Sequence, residues 1–240
     1  MKGSAFTDVG YQRKTNEDSW YLDLSKKIVA VADGMGGHKA GEIASQTVKK
    51  YLENDSDVEG KGFSKIFQEI NKTIILCAEE NEEYKGMGTT FTLVKIKDNK
   101  ILVGHIGDSR AYLLRNGKIM QMTTDHTMVN ELLKLEGITP EQAKDHPYKH
   151  VLSRALGVEK NISIEEKTYK LEKGDFLLLS TDGLHGMLSD LEIVTTFIEN
   201  DYEIEETGKN LMRKALEKGG KDNITFIILG DIFENGEQEQ

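Results

Sequence analysis

The residues best placed to do chemistry are aspartates that end apolar runs. Residues 28–32 lead into Asp33-Gly34-Met35-Gly36-Gly37, residues 101–106 into Gly107-Asp108-Ser109, and residues 176–180 into Thr181-Asp182-Gly183. Asp222-Asn223 opens the run 224–229, and Asn16-Glu17-Asp18 precedes the short run 19–22. Strand ends in packed sheets can converge on one rim, and carboxylates gathered there repel, raising their pKa values by about a unit or more. A divalent cation removes that conflict, and all-oxygen ligation selects the hard ions Mg²⁺ or Mn²⁺ over zinc. Glycines beside the aspartates let backbone carbonyls and waters approach such ions closely. Asp-Gly is also a common turn dipeptide, so any one of these aspartates alone reads as a plain turn. Four strand-end aspartates in small-residue settings are harder to assign to turns.

The elements that must position them follow from apolar periodicity. Residues 28–32 have the length and β-branched content of a buried strand. Helices are expected over 41–52, on Ile43, Thr47, Val48 and Tyr51, and over 63–77, on Phe63, Ile66, Phe67, Ile70, Ile74 and Cys77, with Gly62 or Ser64 as cap. Runs at 90–96, 101–106 and 111–114, separated by Lys97-Asp98-Asn99-Lys100 and Arg115-Asn116-Gly117-Lys118, read as an antiparallel meander. Residues 126–160 hold a short helix over 128–135, ended by Gly137, then a polar, weakly periodic stretch with both prolines of the chain, which reads as an insertion over the core. Strands follow at 162–169 and 176–180, helices near 190–199 and 203–218, and a last strand at 224–229. The polar tail 234–240 is expected to fray. Strand runs broken by helix pairs suggest stacked antiparallel sheets with helices outside, not a regular βαβ alternation.

Composition narrows the function. With 240 residues, 38% of them hydrophobic, the chain can build one substantial core, at about 150 residues per domain. Forty-one acidic against 31 basic residues, a net charge of −10, make a poor footprint for nucleic acid. No apolar run approaches the roughly 18 residues of a membrane span, and Met1 to Phe6 lacks the apolar stretch of a secretory signal, so the expectation is a cytoplasmic protein. Cys77 is the single cysteine, which excludes disulfides and cysteine-based zinc sites; it falls on a helix's apolar face and reads as core. His105, inside a strand, reads as a packed core residue, and His126 as orienting the entry of the insertion. His146 and His150 have i, i+4 spacing, but Pro147 and Tyr148 spoil the helix that would aim both at zinc. His185 either tunes the aspartate site or fills space. Gly34 to Gly37 lacks the ending of a nucleotide-binding loop. The acidic stretch 53–59 reads as solvated surface.

Taken in order, Arg13-Lys14-Thr15-Asn16-Glu17-Asp18, Val31-Ala32-Asp33-Gly34-Met35-Gly36-Gly37-His38, Gly88-Thr89-Thr90, Gly107-Asp108-Ser109-Arg110, Thr124-Asp125-His126, Ser153-Arg154-Ala155-Leu156-Gly157, Ser180-Thr181-Asp182-Gly183-Leu184 and Asp222-Asn223-Ile224-Thr225 form a specific set. With it the chain, from about residue 4 to 232, resembles the metal-dependent protein phosphatases of the PPM family, the type 2C serine/threonine phosphatases, in their compact bacterial form. The resemblance implies an α+β fold, a four-layer α-β-β-α sandwich of two antiparallel sheets flanked by helices. It implies one phosphatase domain over 1–233 with a flap insertion at about 126–160, and a binuclear Mg²⁺ or Mn²⁺ centre at one edge. Asp33, Asp182 and Asp222 match the central ligands, joined by the backbone carbonyl of Gly34; Asp18 or Glu17 contacts a metal directly or through water. Asp108, with Asp182, matches the position that can hold a third, weaker metal. Arg13 matches the arginine that clamps the substrate phosphate. Eukaryotic relatives carry a histidine after Asp-Gly, where this chain has Met35; His38 is then the candidate general acid, with a metal-bound water as the other donor.

These residue types suit phosphoryl transfer. Two divalent ions about 3.5–4 Å apart can acidify a bridging water and orient it in line with phosphorus, and the rest of the work is charge neutralisation and positioning. The expected function is hydrolysis of phosphoserine and phosphothreonine in proteins by a metal-bridging hydroxide. The expected partners are phosphorylated proteins, a cognate kinase and its substrates, with no nucleic acid, no membrane, and a monomer as default. Two other readings stay open: a non-catalytic sensor or binding module of the same fold, and a phosphatase of small phosphate esters. Lys144, His146, Lys149, His150 and Arg154 of the flap either meet a phosphopeptide's acidic flank or form a plain solvent-exposed loop.

Overall fold

The computed structural model describes residues 1–36, 39–144 and 146–233, so His38 and the expected tail lie outside the described residues. The first half runs β1 (Lys2–Asp8), β2 (Asp18–Asp23), β3 (Ile28–Met35), α1 (Ala40–Asn54), α2 (Phe63–Glu80), β4 (Gly88–Thr89), β5 (Phe91–Lys97) and β6 (Lys100–Ile106). The second half runs β7 (Arg110–Arg115), β8 (Lys118–Gln121), α3 (Met128–Lys134), α4 (Pro140–Lys144), β9 (Glu165–Lys170), β10 (Phe176–Ser180), α5 (Asp182–His185), α6 (Asp190–Glu199), α7 (Ile204–Glu217) and β11 (Ile224–Gly230).

Two antiparallel sheets stack face to face. One has the order β1-β11-β10-β7-β8; the other has β2-β3-β5-β6-β9, with β4 paired to the end of β3. The apolar runs are continuous because both faces of their strands are covered. In β3, Val29 and Val31 point into the layer between the sheets and meet Leu177, Leu179, Ile227 and Leu229 of the facing sheet. Ile28, Ala30 and Ala32 point the other way, onto Val48 and Leu52 of α1 and Ile66, Phe67 and Ile70 of α2. On the far side Tyr112, Leu178 and Ile228 lie against Ile193 and Phe197 of α6 and Leu211 of α7. The expected four-layer α-β-β-α sandwich is therefore what the chain forms. Among the described residues no helix is long and apolar enough to cross a membrane.

Several elements differ from the sequence reading. Strand β1 pairs with β11 along its whole length, Lys2 opposite Gly230 through Asp8 opposite Ile224. Its residues, Lys-Gly-Ser-Ala-Phe-Thr-Asp, are half-exposed at a sheet edge, and so carry no apolar run to announce them. The short elements β4, β8, α4 and α5 were also not anticipated, and the strand expected at 162–169 begins only at Glu165. The stretch 53–59 is not simple solvated surface. Asp55 is paired with Lys61 at 2.7 Å, Val58 is fully buried, and the Lys95 ammonium reaches the carbonyls of Val58 and Lys61 from below.

Ile227, with no exposed surface, sits at the centre of the inter-sheet layer. Ile227→Ala is expected to lower the unfolding free energy by about 2–5 kcal/mol in urea denaturation. Ile198→Ala, at a half-exposed helix position, should change it by roughly 0.5 kcal/mol or less.

Candidate active site

The aspartates singled out by spacing meet at one end of the sandwich. Asp18 and Asp33 are direct cross-strand partners in the β2–β3 ladder. Asp33 is held from the other side, where its N–H donates to Thr90 Oγ1 at 2.9 Å and its carbonyl accepts from Thr89 Oγ1 at 2.8 Å. From the second sheet come Asp182, the first residue of α5 after β10, and Asp222, just before β11. Asp108 lies in the connection from β6 to β7, where the chain crosses between the sheets. Asp33, Asp108, Asp182 and Asp222, with Arg13, Glu17, Gly34 and Met35, line a cavity of about 300 Å³, and Asp18 reaches it only through its pairing with Asp33.

Close backbone packing fixes the second-sheet side. A Cβ on Gly183 would stand 1.9 Å from the carbonyl oxygen of Asn223, so the Asp182 turn and the Asp222 turn touch through a position only glycine can fill. The Asn223 side chain then ties down the loop that carries Arg13. Its Nδ2 donates to the carbonyls of Val9 and Thr15, both at 2.9 Å, and its Oδ1 accepts the Glu17 N–H at 2.8 Å. Arg13 itself donates from Nη2 to Asp222 Oδ2 at 2.7 Å.

Gathering these groups out of water makes the site electrostatically tense. Burial first, then the neighbouring Asp18, Asp182 and Asp108, push the Asp33 carboxyl well above the carboxylate range. Burial also drives Asp18 well up, against the opposing hydrogen bond from Thr181. Asp182 is raised by burial and by Asp222, and burial together with Asp182 pushes Asp108 up to about 8. Asp18 Oδ1 and Asp182 Oδ1 are buried without a hydrogen-bond partner.

Buried oxygens with no donor, in a cluster where burial and mutual repulsion disfavour the charged carboxylates, are what a hard divalent cation satisfies, so the donor set fits Mg²⁺ or Mn²⁺. Among the described residues, no three acidic, histidine or cysteine side chains already meet as a ready ligand set. Asp222 is turned to Arg13 and Asp18 to Thr181.

The remaining candidates separate cleanly. Glu17 lines the cavity, and its carboxyl is raised by burial. Gly34 also lines it, with its N–H bonded to the Glu17 carbonyl at 3.1 Å. His38 lies outside the described residues. His105 is fully buried, with Nδ1 on Thr92 Oγ1 at 2.8 Å, a core histidine as expected. His185 shares a hydrogen bond with Ser180 Oγ at 2.9 Å and faces Tyr112, and it also bonds to the backbone of Asp108, so it both packs and touches the aspartate turn. Cys77 is half-buried against the α1–α2 core. Of the basic insertion residues, Arg154 is tied to Glu131 at 2.9 Å, whereas His150 lines the cavity.

Sequence reasoning gave no role to Thr181, Thr90 and Asn223. Each lies inside a matching motif, and that membership is their only signal in the sequence. Asp125 belongs to a matching motif and proves to be a structural anchor, accepting a two-pronged contact from Arg110 at 2.9 and 2.6 Å.

Comparison with known proteins identifies the family. Residues 11–219 match the family described as Protein phosphatase 2C. The chain is 37% identical to protein phosphatase PhpP of Streptococcus pneumoniae serotype 2, over 99% of this chain and all of that one. The Mycobacterium tuberculosis serine/threonine phosphatase PstP/Ppp superposes with a TM-score of 0.85 at 36% identity, covering 95% of this chain and 97% of that one. The catalytic domain of PstP in complex with two manganese ions superposes with a TM-score of 0.83 at 36% identity, covering 95% and 96% of the two chains. This chain belongs to the protein phosphatase 2C family, in its bacterial form. It is an enzyme, a protein phosphatase.

A carboxyl whose pKa is raised in the folded state binds its proton more tightly there, so it stabilises the fold below its ordinary value of 3.8, and that contribution is lost as pH climbs through about 8. In EDTA, Asp108→Asn should therefore melt at a higher temperature than wild type near pH 9, and the gap should close toward pH 5. A gap that stays constant or widens on acidification would contradict the burial of this carboxyl.

Proposed function

We propose that the enzyme hydrolyses phosphoserine and phosphothreonine in proteins, using two Mg²⁺ or Mn²⁺ ions held at the carboxylate cluster. The observation that carries this reading is the meeting of Asp33, Asp108, Asp182 and Asp222 around one small cavity that also receives Arg13, with Asp18 paired across the strands to Asp33. Asp33, Asp182 and Asp222, with the Gly34 carbonyl, would hold the two ions; Asp18 and Glu17 would contribute directly or through water, and Asp108 would serve a third, weaker ion. When bound, such ions supply an acidified water as nucleophile and neutralise phosphoryl charge. The relatives' names, protein phosphatase and serine/threonine phosphatase, and the two manganese ions of the PstP complex support the same reading.

The chain's own residues do the positioning. Asp222 holds the Arg13 guanidinium at the cavity mouth, pre-oriented to exchange that carboxylate for two phosphoryl oxygens in a forked contact. Asn223 keeps the Arg13 loop in register with Asp222. Thr181 and Thr90 fix the Asp18 carboxylate and the Asp33 backbone, so that the acidic groups need not reorganise when substrate arrives. No nucleophilic side chain is required. His38 remains the residue proposed to protonate the departing serine or threonine oxygen. Phosphorylated proteins and the kinase that produces them are the proposed partners.

The test is phosphate release from phosphoserine and phosphothreonine peptides in Mn²⁺, Mg²⁺ or EDTA, with wild type and Asp182→Asn. Turnover that needs the cation and vanishes in Asp182→Asn is expected. Turnover indifferent to EDTA and to the substitution would sink this mechanism, and cation binding without turnover would favour a sensor module. Arg13→Ala should lower kcat/KM by roughly 10–100-fold through loss of charged hydrogen bonds to phosphate. An unchanged kcat/KM would remove Arg13 from the site.

A further inference from the structure

One buried group stands next to the site without a role in the chemistry above. His126, only 2% exposed, opens the 126–160 segment. Its N–H donates to the Gly107 carbonyl at 2.7 Å, and its Nδ1 accepts the Gly107 N–H at 3.1 Å. A single residue thus takes both backbone groups of the glycine that precedes Asp108. Gly107 has φ +108°, and a Cβ there would stand 2.5 Å from Thr90 Cβ, so the turn has no freedom to choose another residue. Beyond Asp108, Ser109 Oγ pairs with Thr90 Oγ1 at 2.6 Å and the Ser109 carbonyl accepts from Thr92 Oγ1 at 3.2 Å. The His105 ring, itself bonded to Thr92, lies against the His126 ring with centroids 4.8 Å apart. The third connection leads outward: the His126 carbonyl accepts the Ser153 N–H at 2.9 Å, beside the Met128 to Val151 backbone bond at 2.8 Å.

We propose that His126 is the positioning residue for Asp108, and the joint through which the 126–160 segment acts on that carboxylate. The proposal rests on the reading of Asp108 as ligand to a third, weakly held divalent cation. The ring must be unprotonated at Nδ1 to accept from Gly107. Remove that acceptor and the Gly107 N–H is left buried and unpaired, so the turn relaxes and Asp108 shifts. Release Ser153 and the same turn loses its outer support.

The experiment titrates Mn²⁺ into the whole protein by calorimetry, comparing wild type, Asp108→Ala, His126→Gln and His126→Asn. Asparagine puts an amide oxygen where Nδ1 stood; glutamine puts it one bond too far. His126→Gln should weaken the weakest site by about 10–100-fold, the usual cost of losing a supporting contact, while the tighter sites hold and report an intact fold. His126→Asn should restore most of that loss. Because coupling is reciprocal, filling the weakest site should slow hydrogen exchange at the Met128 and Ser153 amides in wild type and leave it unchanged in Asp108→Ala. Wild-type affinity at the weakest site in His126→Gln, equal weakening at every site, or no rescue by asparagine would overturn the positioning role. Exchange that ignores the weakest site would overturn the link to the segment. A wild type with only two sites overturns this inference alone, whereas one that binds no Mn²⁺ and hydrolyses phosphopeptides in EDTA overturns the metal reading with it.

Discussion

Two carboxylates, Asp18 and Asp33, stand directly opposite each other on hydrogen-bonded strands. Like charges in that relation work against sheet formation, and here they are joined by Asp182 and Asp108 in a largely enclosed space. No local preference of β2 or β3 favours such a pairing. It is imposed by the apolar residues further along the same strands. Val29, Val31, Ile28 and Ala30 have no more than 1% of their surface exposed, and burial of each valine and of the isoleucine contributes about 1.5–3 kcal/mol. The register that buries them is the register that brings the two aspartates face to face.

That constraint explains why the site draws on both sheets. Asp18 and Asp33 belong to one layer, Asp182 and Asp222 to the other, and Asp108 to the strand connection between them. The relative height of the two sheets, set by Leu177, Leu179, Ile227 and Leu229 against Val29 and Val31, therefore decides how the carboxylates stand to one another. Small polar groups then trim the arrangement: Thr181 for Asp18, Thr90 for Asp33, and Asn223 for the loop of Arg13. The tight Gly183 contact with Asn223 leaves the two turns of the second sheet little room to drift.

Much of this was legible in the sequence, for a physical reason. A strand buried on both faces is written as an unbroken apolar run, so β3, β5, β6, β10 and β11 declare themselves, and the aspartates at their ends mark one common edge. Alternating burial in α1 and α2 is equally plain. What escaped detection depends on partners distant in the chain. β1 has little apolar content and exists because β11 offers it a full ladder of backbone bonds. Asn223 looks like an ordinary turn residue until Val9 and Thr15 arrive beside it. The acidic stretch near residue 55 looks solvated until Lys61 and Lys95 fold under it. His126 read as an orienting residue at the start of an insertion; its double hold on Gly107 is a property of the assembled turn.

The pairing of β1 with β11 has a kinetic side. The last strand enters between β1 and β10, in the interior of its sheet, and carries Asp222 on its threshold. Until it arrives, β1 has no strand to pair with, Asn223 cannot tie down the Arg13 loop, and the acidic cluster lacks one corner. Contacts spanning more than two hundred residues, such as Lys2 with Gly230, close late and slowly because of the loop entropy they must overcome. A partly synthesised chain that lacks the final strand therefore lacks Asp222 and the partner of β1. Insertion of the final strand pairs β1 and brings Asp222 and Asn223 up to the Arg13 loop in the same event.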